Sequence, residues 1–155
     1  ASHWGIPEVD KLLQPTPPLP HPLADGQEFD LGGRVLRIIL TPGHTRGSIC
    51  VYDEQTNSLF TGDNTNDHAV SLAEPCAATV TEYLASLEKI IAVGASVFYT
   101  GHMPGAVETE KAQRLHECAQ RIIDGEKGVF ERTPMASGYK LVIDGAAIQY
   151  NEEKI

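Results

Sequence analysis

Three short segments of this chain carry residue types that could do chemistry, and they share one design. Thr41-Pro-Gly-His44-Thr-Arg-Gly-Ser48 follows the apolar run Val35–Leu40. Thr61-Gly-Asp63 follows Ser58-Leu59-Phe60, and Thr100-Gly-His102 follows Val97-Phe98-Tyr99. In each, a stretch with strand character ends at a glycine and a histidine or aspartate comes next. A strand fixes the backbone and the loop after it presents the side chain, while glycine lets the chain turn sharply beside a crowded ion. Imidazole and carboxylate are ligands for zinc, iron or manganese at neutral pH. A single loop histidine is more often solvated or hydrogen-bonded. Repetition of the same pattern three times is what favours metal binding. It predicts that the metal-binding atoms of His44, Asp63 and His102 lie within ~6 Å of a common point, the reach of a two-metal site.

The elements that must position these residues follow from pattern and turn chemistry. Segments 27–31 and 34–40 flank Gly32-Gly33, a hairpin signal. Ile49–Asp53 and 58–61 flank the polar turn 54–57 and form a second hairpin. Residues 62–78 read as a loop. Thr79 with Glu82 three residues later is a capping box, and Val80, Tyr83, Leu84, Leu87, Ile90 and Ile91 then recur at helical spacing until Gly94. Residues 96–100 form a short buried strand. Segment 108–124 is a second amphipathic helix with Leu115, Ala119, Ile122 and Ile123 inward and Gly125 as its stop. A last hairpin turns at Asp144-Gly145. Helices packed outside sheets make an α/β layered arrangement. Residues 1–26 are an irregular lead-in, with five prolines in 14–22 that forbid helix.

Other polar residues weigh less. Asp67-His68 could in principle replace a ligand, but a solvated loop pair is expected. Cys76 has nothing nearby in sequence to lower its pKa. Cys50 and Cys118 read as small core residues. His116 beside Leu115 on a helix suits a surface histidine or one at the edge of the buried face. Asn64 is read as a turn residue that could touch substrate, and Trp4 as a cover for apolar surface or a partner contact.

Composition narrows the function classes. The chain has 155 residues, enough for one domain with a real core, and 41% are apolar. With 21 acidic against 12 basic residues and a net charge of −9 it lacks the basic footprint of a nucleic-acid binder. No run approaches the roughly 18 apolar residues of a membrane span, and no signal peptide is visible. Three widely spaced cysteines give no disulfide framework, which points to a cytoplasmic protein with reduced thiols. The chain opens on Ala1 rather than Met, as a processed, engineered or truncated start would.

Taken together, Asp25-Gly-Gln-Glu-Phe-Asp-Leu-Gly-Gly, the TPGHTRGS segment and Leu59-Phe-Thr-Gly-Asp63, with the later helix and Gly101-His102 in order, resemble the metallo-β-lactamase superfamily over about residues 23–150. Its glyoxalase-II-like small hydrolases are the nearest in pattern. The resemblance implies a four-layered αββα sandwich and a metal-dependent hydrolase. In it His44 binds a first metal, His102 a second, and Asp63, the catalytic carboxylate, bridges them. Two zinc ions, with iron or manganese as alternatives, would share a hydroxide that attacks an ester, thioester or related bond of a small-molecule substrate. The family's HxHxDH motif has no match here, since only His3 and His21 precede His44. The chain therefore reads as the C-terminal portion of a family member lacking most of its first half. From that follow the competing expectation of a non-catalytic domain with an incomplete metal site, and a homo-oligomer, with domain swapping as one form, that covers the bared sheet.

Overall fold

Turn residues set the frame of the first sheet. In the computed structural model, which describes residues 21–66, 68–132 and 137–155, strands β1 (Glu28–Asp30) and β2 (Val35–Leu40) pair antiparallel with Asp30 opposite Val35. Gly32 and Gly33 take φ of 84° and 99° between them, and the Asp30 carboxylate accepts both of their N–H groups. Strands β3 (Ile49–Asp53) and β4 (Ser58–Gly62) form the second expected hairpin, with Asn57 at φ 49° in its turn. Asp53, buried at the end of β3, is held by the Arg34 guanidinium and the Thr56 hydroxyl. These partners hold its carboxyl at a pKa of about 2.

Helix α1 (Val80–Val93) begins and ends as its sequence predicts. Thr79 Oγ1 accepts the Glu82 N–H at 3.1 Å, Glu82 accepts the Thr79 N–H at 2.8 Å, and Gly94 closes the helix in the left-handed region at φ 67°. Val80, Tyr83, Leu87 and Ile90 are buried as expected, while Leu84 and Ile91 are half-buried. Helix α2 (Glu110–Ile123) buries Ala112, Leu115, Cys118, Ala119 and Ile122.

Strand β6 (Val97–Thr100) joins β4 in parallel, and β7 (Ala106–Val107) closes a six-stranded sheet of order β1-β2-β3-β4-β6-β7. A second sheet departs from expectation. It contains β5 (Ala69–Ser71), β8 (Val129–Arg132), β9 (Ser137–Ile143) and β10 (Ala146–Tyr150) in the order β5-β10-β9-β8. The β9–β10 hairpin around Asp144-Gly145 is the one expected. Strand β5, inside the segment expected to be a loop, pairs in parallel with β10. A three-residue strand has no readable alternation, and its partner lies at the far end of the chain.

Residues of both sheets and both helices share one core, including Leu59, Phe98, Tyr83, Leu87, Leu115, Ile122, Ile148 and Tyr150. Burying each large aliphatic side chain contributes about 1.5–3 kcal/mol. On the opposite face of the first sheet Phe60 and Tyr99 stack at 5.3 Å and remain 43% and 37% exposed. Among the described residues no helix is long and apolar enough to cross a membrane. Most of the proline-rich segment, together with His3 and Trp4, lies outside the described residues.

Candidate metal centre

The His44 loop leaves β2 at Leu40 and re-enters the sheet at Ile49, and its backbone is tied on three sides. Thr41 N–H donates to Ser48 O at 3.1 Å across the neck of the loop. Ala78 N–H donates to Gly43 O at 2.9 Å, and Arg46 N–H to Cys76 O at 2.8 Å. The Ser86 hydroxyl of α1 donates to Pro42 O at 2.7 Å, which explains why a serine is buried on that helix. Gly43 is required by close approach: a Cβ there would meet Asn64 Oδ1 at 2.6 Å and Tyr83 Cδ2 at 2.7 Å. His44 is half-buried, and its Nδ1 lies 3.0 Å from Ser71 O. A carbonyl only accepts, so Nδ1 carries the proton and Nε2 keeps its lone pair. Short strand β5, which the sequence does not reveal, thereby sets the tautomer of His44.

Asp63 begins a single 3-10 turn, Asp63–Thr65, entered through Gly62 at φ 54°. Thr61 and Thr65 hydroxyls meet at 2.6 Å beneath it. The next residue, Asn64, is fully buried. Its Nδ2 donates to Thr41 O at 2.6 Å, its Oδ1 accepts the His44 N–H at 3.1 Å, and its carbonyl accepts the Tyr83 hydroxyl at 2.6 Å. Sequence reasoning made Asn64 a turn residue. It does sit in a turn, and its amide is in addition buried against Thr41 and His44, which only the folded chain brings to it.

The third segment is docked more lightly. Gly101 N–H donates to Gly62 O at 3.0 Å, which brings His102 beside Asp63. A Cβ on Gly101 would meet Asp63 Oδ1 at 2.7 Å. His102 Nε2 lies 3.1 Å from Asp63 Oδ1, with the imidazole 67% and the carboxylate 34% exposed. The two atoms are close without aligning as a hydrogen bond, so Asp63 Oδ1 is a buried oxygen with no hydrogen-bond partner.

A buried carboxylate oxygen without a hydrogen bond, 3.1 Å from an imidazole nitrogen, fits a cation, because nitrogen and oxygen donors of this kind hold zinc. His44, with Nδ1 held by a backbone carbonyl, matches the way metal-binding imidazoles are oriented from behind. The structure brings Asp63 and His102 together directly. It links the His44 backbone to the same turn through Asn64. Among the described residues no group of three or more His, Cys, Asp or Glu is gathered closely enough to hold an ion.

The lesser candidates separate cleanly. His68 is exposed, and Asp67 lies outside the described residues. Cys76 is exposed, whereas Cys50 and Cys118 are buried thiols, each pushed up to about 11 by burial, which makes them poor nucleophiles and ligands. His116 is half-buried in the middle of α2, 3.9 Å from Glu88. A depression of about 390 Å³ lined by Asp25, Arg37, Ile39 and Lys89 includes none of His44, Asp63 and His102. A smaller one, about 240 Å³, starts at Met103 immediately after His102.

The family model of the metallo-beta-lactamase superfamily matches residues 2–102, a segment that holds His44, Asp63 and His102. The chain belongs to the metallo-beta-lactamase superfamily. The match starts earlier than the resemblance over 23–150 and stops at His102. Superfamily relatives include the lactamase-like protein nscB of Arthroderma otae, 31% identical over 131 residues, covering 75% of this chain and 36% of that protein. Another is the atrochrysone carboxyl ACP thioesterase AgnL7 of Paecilomyces divaricatus, 33% identical over 108 residues and covering 66% of this chain and 33% of that one. The chain thus spans about a third of the length of these curated relatives. A metallo-beta-lactamase family protein from Thermus thermophilus superposes with a TM-score of 0.58 at 30% identity, over 70% of this chain and 38% of that one. The mixed α/β architecture is accordingly the metallo-beta-lactamase fold.

Proposed function

We propose that this chain carries part of the active centre of a metal-dependent hydrolase that cleaves an ester or thioester of a small molecule, with His44, Asp63 and His102 as metal ligands. The observation that carries this reading is the buried, unpartnered Asp63 Oδ1 facing His102 Nε2. Asp63 is the catalytic carboxylate of the proposal, and His44 and His102 would be the imidazoles that hold metal with it. Zinc suits this nitrogen and oxygen donor set, and iron or manganese share it. When bound, the metal supplies Lewis acidity and an activated water for attack on the acyl carbon. The chain's own part is to fix the His44 ring through Ser71 O and to leave Asp63 Oδ1 without a hydrogen bond from the protein. A thioester is favoured because AgnL7 is named a thioesterase. The test is metal analysis of dialysed protein with a thioester hydrolysis assay. The expected result is at most one loosely held metal, lost in Asp63→Ala, with thioester turnover weak or absent unless a partner chain supplies ligands. A chain that takes up no metal and turns over no thioester overturns the reading.

A second reading has its own support. A catalytic zinc takes about three protein ligands and a water, and among the described residues only Asp63 and His102 are gathered. A domain of this kind could act by association, with the exposed Phe60–Tyr99 face covered by a second copy of the chain. Sedimentation showing a monomer at micromolar concentration counts against it, as do two tightly held ions with metal-dependent turnover.

A further inference from the structure

We propose that Asn64 is a positioning residue that sets the separation of His44 and Asp63 before any metal arrives; its consequence for metal affinity rests on the ligand reading above. Asn64 is fully buried, so its amide must find partners inside the protein. It finds them on both sides of Pro42-Gly43. Nδ2 donates to Thr41 O at 2.6 Å and lies 3.2 Å from Thr41 Oγ1, while Oδ1 accepts from the His44 N–H at 3.1 Å. Asn64 is also bonded covalently to Asp63. One side chain and one peptide link therefore connect the backbones that carry two proposed ligands. The Tyr83 hydroxyl, donating to Asn64 O at 2.6 Å, fixes this bridge to α1. Gly43 lets the loop lie against the amide, where a Cβ would collide.

No other side chain of this size replaces it. Aspartate accepts from His44 but cannot donate to Thr41, and leucine does neither. Ser86 supplies the comparison that separates positioning from plain loop support. Its hydroxyl anchors the same loop through Pro42 O at 2.7 Å but has no connection to the Asp63 turn.

The experiment compares Asn64→Ala and Ser86→Ala in the full chain by Co²⁺ titration, followed through the visible absorption of the ion, and by amide hydrogen exchange of the metal-free protein. Asn64→Ala is expected to raise the Co²⁺ Kd by roughly 10- to 100-fold, the usual effect of losing a group that orients a ligand. Ser86→Ala leaves the Kd near that of the parent. Loss of the amide acceptor speeds His44 N–H exchange by about tenfold relative to Cys50 N–H in β3. Equal Co²⁺ affinities in the two variants, or unchanged His44 exchange, overturn the proposal. If the parent chain takes up no Co²⁺, the ligand reading falls, and the exchange comparison still decides whether Asn64 positions His44. Asn64→Ser, which keeps a polar group in the cavity, serves should the alanine variant not fold.

Discussion

The two halves of the candidate centre are built differently. The His44 loop and the Asp63 turn are joined through a buried amide, packed against the Tyr83 ring and tied to α1 and β5. The His102 turn is exposed from Gly101 to Ala106 and is docked by one backbone hydrogen bond, Gly101 N–H to Gly62 O. The first half is fixed by the core and shares its stability. The second can move without disturbing the core, as a segment with few buried contacts does.

The contrast is most easily broken at Gly43. Gly43→Ala places a Cβ against Asn64 and Tyr83, both fully buried, and overpacking of this kind costs about 1–3 kcal/mol or more. A urea midpoint unchanged from the parent would show that the loop is softer than its contacts imply. Gly101→Ala meets Asp63 Oδ1 at nearly the same distance, yet its exposed turn can give way, so its cost in the same titration is expected to be clearly smaller.

Tyr83→Phe comes next. It keeps the ring and removes the donor to Asn64 O, and a buried acceptor left without its partner costs about 1–3 kcal/mol. The expected loss lies toward the lower end, read as a drop in thermal midpoint. A variant as stable as the parent would release Tyr83 from the bridge.

A smaller effect tests the end of β3 remote from the His44 loop. Asp53 is held at about 2 by Arg34 and Thr56, below the ordinary aspartate value of about 3.9 in an unfolded chain. Its folded pKa is the lower one, so its contribution is complete above about pH 4 and is lost as pH falls toward 2. Arg34→Ala is therefore expected to lower stability at pH 7 and to differ less from the parent near pH 2. A difference that stays constant across this window would remove the Arg34–Asp53 pair from the account of acid stability.

The smallest expected effect is His102→Ala. The side chain is 67% exposed, and exposed substitutions of this sort stay within about 0.5 kcal/mol. The thermal midpoint should hardly move, while metal uptake by dialysed protein falls. A destabilised variant would mean that the His102 turn belongs to the core after all.

Much of this was legible in the linear chain. Both early hairpins, the Thr79–Glu82 capping box, the Gly94 stop and the final hairpin are written in local chemistry, where a turn residue or cap acts on neighbours within a few positions. The strand–glycine pattern singled out His44, Asp63 and His102 as candidates for the same reason, because each motif is contiguous. Strand β5 and the role of Asn64 were not legible. Three residues of strand carry no periodic signal, and a buried asparagine looks like a turn asparagine until its partners are known.

The sequence by itself determined most element types and turn positions and the candidates for metal binding, since these depend on interactions within a few residues of each other. Tertiary structure decided which of those residues meet. It placed Ser71 O behind His44, Asn64 between Thr41 and His44, and His102 against an unpartnered Asp63 oxygen. Those contacts join segments far apart in the chain. Their geometry is fixed only once the two helices and two sheets close around one core.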